Sequence, residues 1–159
     1  EHIASRREIT IECFPLLKEY EWDPDLLKDT KIERFGYLFE DSLAKEMIGG
    51  TEDADEFYRR ITCQLETIIK EDWSEMAAFL HGAVNAAIMC WVNDVDISFA
   101  SKYDQDHAAL NIIDIDINKK GKIVRKILKR YNIPPNLSSI GSDMRSSWEN
   151  TASKIANLK

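Results

Sequence analysis

The sequence predicts an α+β fold that is mostly helical, with about five to six helices and a small antiparallel strand pair near residues 94–100 and 111–118. Apolar residues recur at spacings of three and four through much of the chain, which favours helices. The segments VDISFA and NIIDIDIN instead alternate apolar and polar residues, as half-buried strands do. A length of 159 residues fits a single domain, 1–159. The alternative is an all-α fold.

Helical structure is expected through the first half of the chain. A helix begins near Pro15, and WDPDLL marks a turn and a helix start, with Asp23 as the cap and Pro24 at the first helical position. Residues 31–48 form an amphipathic helix that ends at Gly49-Gly50, because glycine commonly terminates helices. A further helix begins at Thr51, with acidic residues in its first turn and a buried stripe formed by Phe57, Ile61, Leu65, Ile68 and Ile69.

The stretch after Asp72 is the most apolar in the sequence and permits two interpretations. One is a single helix from Trp73 to about Trp91, apolar nearly all round and therefore central in the core. The other is a short buried strand, MAAFLHG, followed by a helix through VNAAIMCW. The sequence alone leaves both open.

Beyond the strand pair, a turn is expected at Lys120-Gly121, and helical spacing resumes at Lys122. This predicted helix places apolar residues on one face and basic residues on the other, and it ends before Pro134. A last helix is expected from Ser142 onward.

Charge is segregated along the chain. The net charge is −7, which argues against unaided binding to nucleic acid. Residues 94–116 contain six Asp and one basic residue, whereas residues 119–130 contain seven Lys or Arg and no acid. Polar residues interrupt the apolar run at 73–92, so no membrane span is predicted.

The three cysteines, Cys13, Cys63 and Cys90, show no paired spacing, and we interpret them as small buried hydrophobic residues. A reducing, cytoplasmic setting is therefore expected.

These features favour a non-enzymatic, acidic interaction domain of the inhibitor, immunity or regulatory type, with no cofactor. It would bind a basic protein partner, since complementary charge raises association rate and specificity. The sequence sets no oligomeric state. The predicted partner-binding residues are the paired aspartates Asp94, Asp96, Asp104, Asp106, Asp114 and Asp116.

A second hypothesis comes from Leu80-His81-Gly82-Ala83, ten further residues, and then Asp94-Val95-Asp96-Ile97. Residues 76–117 thereby resemble the DNA polymerase β-like nucleotidyltransferase superfamily, although Ala83 replaces its Ser or Gly. The resemblance implies Mg²⁺ held by Asp94, Asp96 and either Asp114 or Asp116. The phosphate-binding residues under this hypothesis are Lys122, Arg125, Lys126 and Lys129.

A helical scaffold or regulatory domain, with 73–91 as its central helix, is the third hypothesis.

The histidines add little to any of the three hypotheses. His107, beside Asp104 and Asp106, could be a metal ligand or general base, but a lone loop histidine is more often solvated. His81 lies in the apolar run and is interpreted as a core or boundary residue.

Overall fold

The computed structural model describes residues 10–21 and 52–135. Within these ranges the chain forms two α-helices, two short 3₁₀-helices and one antiparallel sheet. In chain order they are a 3₁₀-helix Pro15–Leu17, α1 Ala54–Ile68, α2 Gly82–Val92, a 3₁₀-helix Ile97–Lys102, β1 Leu110–Ile117 and β2 Ile123–Ile133. The helices predicted from Pro24, over 31–48 and from Ser142 lie outside the described residues.

Helix α1 confirms the prediction of a helix in this region, with its start moved from Thr51 to Ala54. Asp53 is the N-cap, because its carboxylate accepts the N–H groups of Asp55 at 2.8 Å and Glu56 at 3.2 Å. The predicted stripe is buried from Phe57 onward and faces the core. Near Pro15, by contrast, the expected helix is a single 3₁₀ turn of three residues.

Helix α2 lies at the centre of the core, with nine of its eleven residues buried. It begins only at Gly82, so a single helix from Trp73 to Trp91 is wrong. Residues 75–81 have no regular secondary structure, and they are not the buried strand of the alternative either. Phe79, for example, is 90% exposed.

The strand predicted near 94–100 is also wrong. The chain leaves α2 through Asp94, whose φ of 53° lies in the left-handed region, and enters the 3₁₀-helix Ile97–Lys102. Asp96 caps that helix, because its carboxylate accepts the Ser98 N–H at 2.9 Å. A local side-chain cap of this kind competes with strand pairing, and here it prevails over the alternating pattern.

The sheet is a hairpin of β1 and β2. The strand predicted near 111–118 is present as β1, but its partner is the segment 123–133, for which a helix was predicted. The turn lies at the expected Lys120-Gly121, and the Asn118 side chain organises it by accepting the N–H groups of Lys120 and Lys122. Gly121 has φ 74°, which suits a residue without a side chain.

One face of the hairpin packs on the core through Ile113, Ile115, Leu128 and Tyr131. This sheet excludes the all-α alternative.

No helix in the described ranges is long and apolar enough to cross a membrane. The cysteine prediction is correct only for Cys90, since Cys13 and Cys63 are exposed.

Candidate functional site at the start of helix α2

The six predicted aspartates lie on four different elements. Asp94 follows α2 and Asp96 caps a 3₁₀-helix, whereas Asp104 and Asp106 belong to the loop before β1. Asp114 and Asp116 are on β1 itself. Within residues 10–21 and 52–135, no three His, Cys, Asp or Glu side chains are grouped to hold a metal ion. The structure therefore does not assemble the ligand set Asp94, Asp96 and Asp114 or Asp116.

Three of the predicted phosphate-binding cations pair with these aspartates. Arg125 contacts Asp116 at 2.6 Å and Lys129 contacts Asp114 at 3.4 Å, in both cases across the hairpin. Lys126 pairs with Asp94 and also donates to the carbonyl of Trp91. Lys122, the fourth cation, lies exposed at the turn.

A different place in the structure is suited to an anion. His81 is the N-cap residue of α2, has extended backbone (φ −102°, ψ 169°) and is exposed. Its side chain does not cap the helix. The first N–H groups of a helix have no intrahelical acceptor and carry a partial positive charge. Gly82, the first helical residue, has no side chain of its own, which favours close approach of an anion to the backbone.

A carboxylate from another part of the chain reaches the same helix end. Glu19 Oε2 accepts the N–H of Ala83, the second residue of α2, at 3.4 Å. The other oxygen, Oε1, accepts the N–H of Tyr20 at 2.7 Å. Glu19 is only partly exposed, and the 64-residue separation between Glu19 and Ala83 makes this a tertiary contact. The Glu19 carboxylate thus meets the N-terminus of α2 two residues after the exposed His81.

The helix that carries the site is rigidly embedded. Ala83 and Val84 are fully buried immediately after the exposed His81, so the first turn cannot shift without disturbing the core. The thiol of Cys90, further along α2, has its pKa raised to about 12, chiefly by burial. It is therefore protonated at neutral pH and is no candidate nucleophile.

A helix N-terminus is an anion-binding site that several classes of phosphate-binding protein use. The sequence matches the family model of the histidine phosphatase superfamily (branch 1) over residues 1–127 of the 159. The chain belongs to this superfamily. Searches of the curated proteins and of the solved structures gave no match.

The family match corrects the predicted fold class. The superfamily has an α/β fold, so a mostly helical fold with five to six helices is wrong. The sequence favoured helices in part because the apolar residues of β2 also fit helical spacing.

The family match also corrects the predicted function. It overturns the non-enzymatic acidic interaction domain, the nucleotidyltransferase hypothesis and the helical scaffold, because the superfamily consists of phosphatase- and mutase-type enzymes. The expected role in protein binding and regulation is wrong for the same reason.

Sequence reasoning missed both side chains of the candidate site. His81 was interpreted as a core or boundary residue because its neighbours are apolar, yet it is exposed at the point where the apolar helix begins. A histidine followed by glycine at such a boundary is the available signal. Glu19 gave none, because only the fold brings it to α2. His107 is exposed in the loop before β1.

Proposed function

We propose that the domain transfers the phosphoryl group of a phosphate monoester, as a phosphatase or mutase, at the N-terminus of α2. His81 and the first N–H groups of the helix bind the phosphoryl group, and Glu19 supplies the proton that the leaving oxygen needs. The observation that carries this proposal is the contact of the Glu19 carboxylate with the Ala83 N–H, at a helix start whose N-cap is His81, in a chain of the histidine phosphatase superfamily.

The helix end supplies charge stabilisation. Preorganised N–H donors and a histidine directed at a phosphoryl group stabilise the negative charge on its oxygens through the transition state. The burial of Ala83 and Val84 keeps those donors in place without substrate. Binding the anion therefore requires little reorganisation of the helix.

The Glu19 carboxyl handles the proton. In its protonated form, the Glu19 carboxyl can hydrogen-bond to the leaving oxygen of a phosphate monoester bound at the helix end. The P–O bond to the leaving group then breaks as that oxygen takes the proton from Glu19. The phosphoryl group passes to an acceptor, which is water in hydrolysis. Glu19, left as a carboxylate, regains a proton from the acceptor or from solvent.

The test is phosphate release from 4-nitrophenyl phosphate by the purified protein. His81→Asn should lower kcat/KM by about 10²–10³, the usual effect of removing one charge-stabilising donor. His107→Asn is the matched control, because His107 is an exposed histidine on a separate loop. If His81→Asn retains wild-type activity, or if both substitutions reduce activity equally, the site is not at α2.

Two further expectations stay proposals. A cytoplasmic location is supported by the free thiols of Cys13, Cys63 and Cys90. A basic protein partner for the Asp-rich segment 94–116 is supported only by composition, and Asp94, Asp114 and Asp116 already have cationic neighbours within the chain.

A further inference from the structure

Arg60, on the second turn of α1, joins three parts of the described chain although its side chain is only 13% exposed. Its guanidinium forms a bidentate (two-pronged) salt bridge with the carboxylate of Glu52, through Nε and through Nη2 at 2.8 Å. It also lies over the ring of Phe57, 4.7 Å from the centroid. Removing a largely buried charge that is satisfied in this way costs stability, and the contacts hold the guanidinium in a defined geometry.

The remaining donors of Arg60 bind the backbone that leads to the candidate site. Nη1 donates to the carbonyls of Leu16 at 2.6 Å and Lys18 at 2.9 Å, and Nη2 donates to the carbonyl of Glu19 at 3.2 Å. One planar group therefore fixes three carbonyls within four residues. Lysine cannot reproduce this pattern, because its ammonium is a single point of donation.

Glu19 depends on this anchoring. Its carbonyl is held by Arg60, and its Oε1 accepts the N–H of Tyr20, which is itself tied to Glu52 through the tyrosine hydroxyl. The backbone on both sides of the Glu19 Cα is thus fixed against α1. The carboxylate is left with Oε2 directed at Ala83.

We infer that Arg60 is a positioning residue, which holds the Glu19 carboxyl at the start of α2 by binding the backbone of residues 16–19. The inference rests on the proposed function of that site. Arg60 does not touch the reacting atoms. Its effect on the reaction is transmitted through the position of Glu19, and a displacement of about 1 Å can reduce a rate by about 10²-fold.

The leaving group separates positioning from general structural support. 4-Nitrophenolate is a stable anion and departs without a proton, whereas the alkoxide from β-glycerophosphate needs one. Loss of a general acid therefore lowers kcat/KM for β-glycerophosphate by about 10²–10⁴, and it lowers kcat/KM for 4-nitrophenyl phosphate much less. A variant that is merely less folded loses activity on both substrates by the same factor.

The experiment compares kcat/KM on these two substrates for wild type, Glu19→Gln, Arg60→Lys and the double variant. We expect Arg60→Lys to reduce turnover of β-glycerophosphate at least tenfold more than that of 4-nitrophenyl phosphate. The double variant should resemble Glu19→Gln, because a positioning residue adds nothing once its target is lost. Arg59→Lys is the control, since Arg59 is the exposed neighbour on the same helix.

Each outcome has one interpretation. An equal loss on both substrates in Arg60→Lys, with the selective loss present in Glu19→Gln, overturns the inference and leaves the proposed function standing. Wild type that hydrolyses neither substrate overturns the proposed function and the inference with it. Should Arg60→Lys not fold, Glu52→Gln takes its place, because it weakens the two-pronged pair that orients Arg60. The same selective loss is then expected, and an equal loss again overturns the inference.

Discussion

Replacing Lys126 with methionine tests how β2 is attached to the C-terminal end of α2. Lys126 is 13% exposed at its side chain, donates to the Trp91 carbonyl, and lies 4.6 Å from the centroid of the Trp91 ring. It also pairs with Asp94, whose side chain is 80% exposed. Methionine keeps the apolar stem and removes only the charge, so the substitution isolates the polar contacts.

The three contacts are unequal. A hydrogen bond from a charged donor contributes about 1.5–3 kcal/mol, and a partly desolvated cation–π contact about 0.5–2 kcal/mol. We use the lower end of each range, because the Trp91 carbonyl still accepts the N–H of Asn93 after the lysine is removed. The pair with the exposed Asp94 contributes about 0–1 kcal/mol. We therefore expect Lys126→Met to lower the free energy of unfolding by about 2 kcal/mol.

The assay is urea unfolding followed by tryptophan fluorescence, and a loss of this size corresponds to a Tm lower by about 4–8 °C for a chain of this length. Lys129→Met is the matched control: Lys129 is 50% exposed and pairs with Asp114 at 3.4 Å, so we expect a change of about 0.5 kcal/mol or less. Equal effects of the two substitutions would refute the argument, since it depends on the burial of Lys126. An Asp94→Asn effect as large as that of Lys126→Met would refute the ranking of the contacts.

Three further predictions follow from the described residues. Asp53→Ala should lower the free energy of unfolding by about 1 kcal/mol, measured by urea titration, because it removes the N-cap of α1. A thiol reagent should label Cys13 and Cys63 in the native protein and Cys90 only after unfolding, as counted by mass spectrometry. Stability should fall as pH rises from about 9 to about 12. The folded-state pKa values of Cys90 and Tyr131 are both about 12, raised by burial above 9.0 and 10.0, so the unfolded chain loses these protons first.

Controls accompany these three. Glu56→Gln should change stability less than Asp53→Ala. Only the backbone N–H of Glu56 takes part in the cap, and the substitution keeps that N–H and removes only an exposed first-turn charge. Rapid native labelling of Cys90 would contradict its burial. Cys90→Ala should reduce the loss of stability above pH 9, and an unchanged profile would show that the cysteine does not contribute to it.

The sequence was informative where local signals coincide. For α1, the acidic first turn and the apolar stripe from Phe57 indicate the same helix, and the helix is there, although Asp53 proves to be its N-cap and not part of its first turn. For β2, the apolar residues between Ile123 and Tyr131 fit a helix as well as a strand. What selects the strand is pairing with β1, a contact that no local window contains.

The candidate site was beyond sequence reasoning for a related reason. His81 could have been noticed as the residue before a glycine at the start of an apolar helix, but Glu19 lies 64 residues from its contact on α2. It arrives there through Arg60, which is on a third element. A site assembled from a loop, a helix end and an anchoring arginine leaves no motif of fixed spacing.

The charge segregation between residues 94–116 and 119–130 has an explanation within the fold. In an antiparallel hairpin, an acidic strand and a basic strand that follow one another in sequence become neighbours in space, and opposite charges across the pair stabilise it. Asp116 with Arg125, and Asp114 with Lys129, are such pairs. Two adjacent segments of opposite charge around a glycine turn thus indicate a hairpin that satisfies its own charges. An external partner is not needed to account for that part of the pattern. Attributing the acidic segment to such a partner therefore led the prediction away from the enzyme family to which the chain belongs.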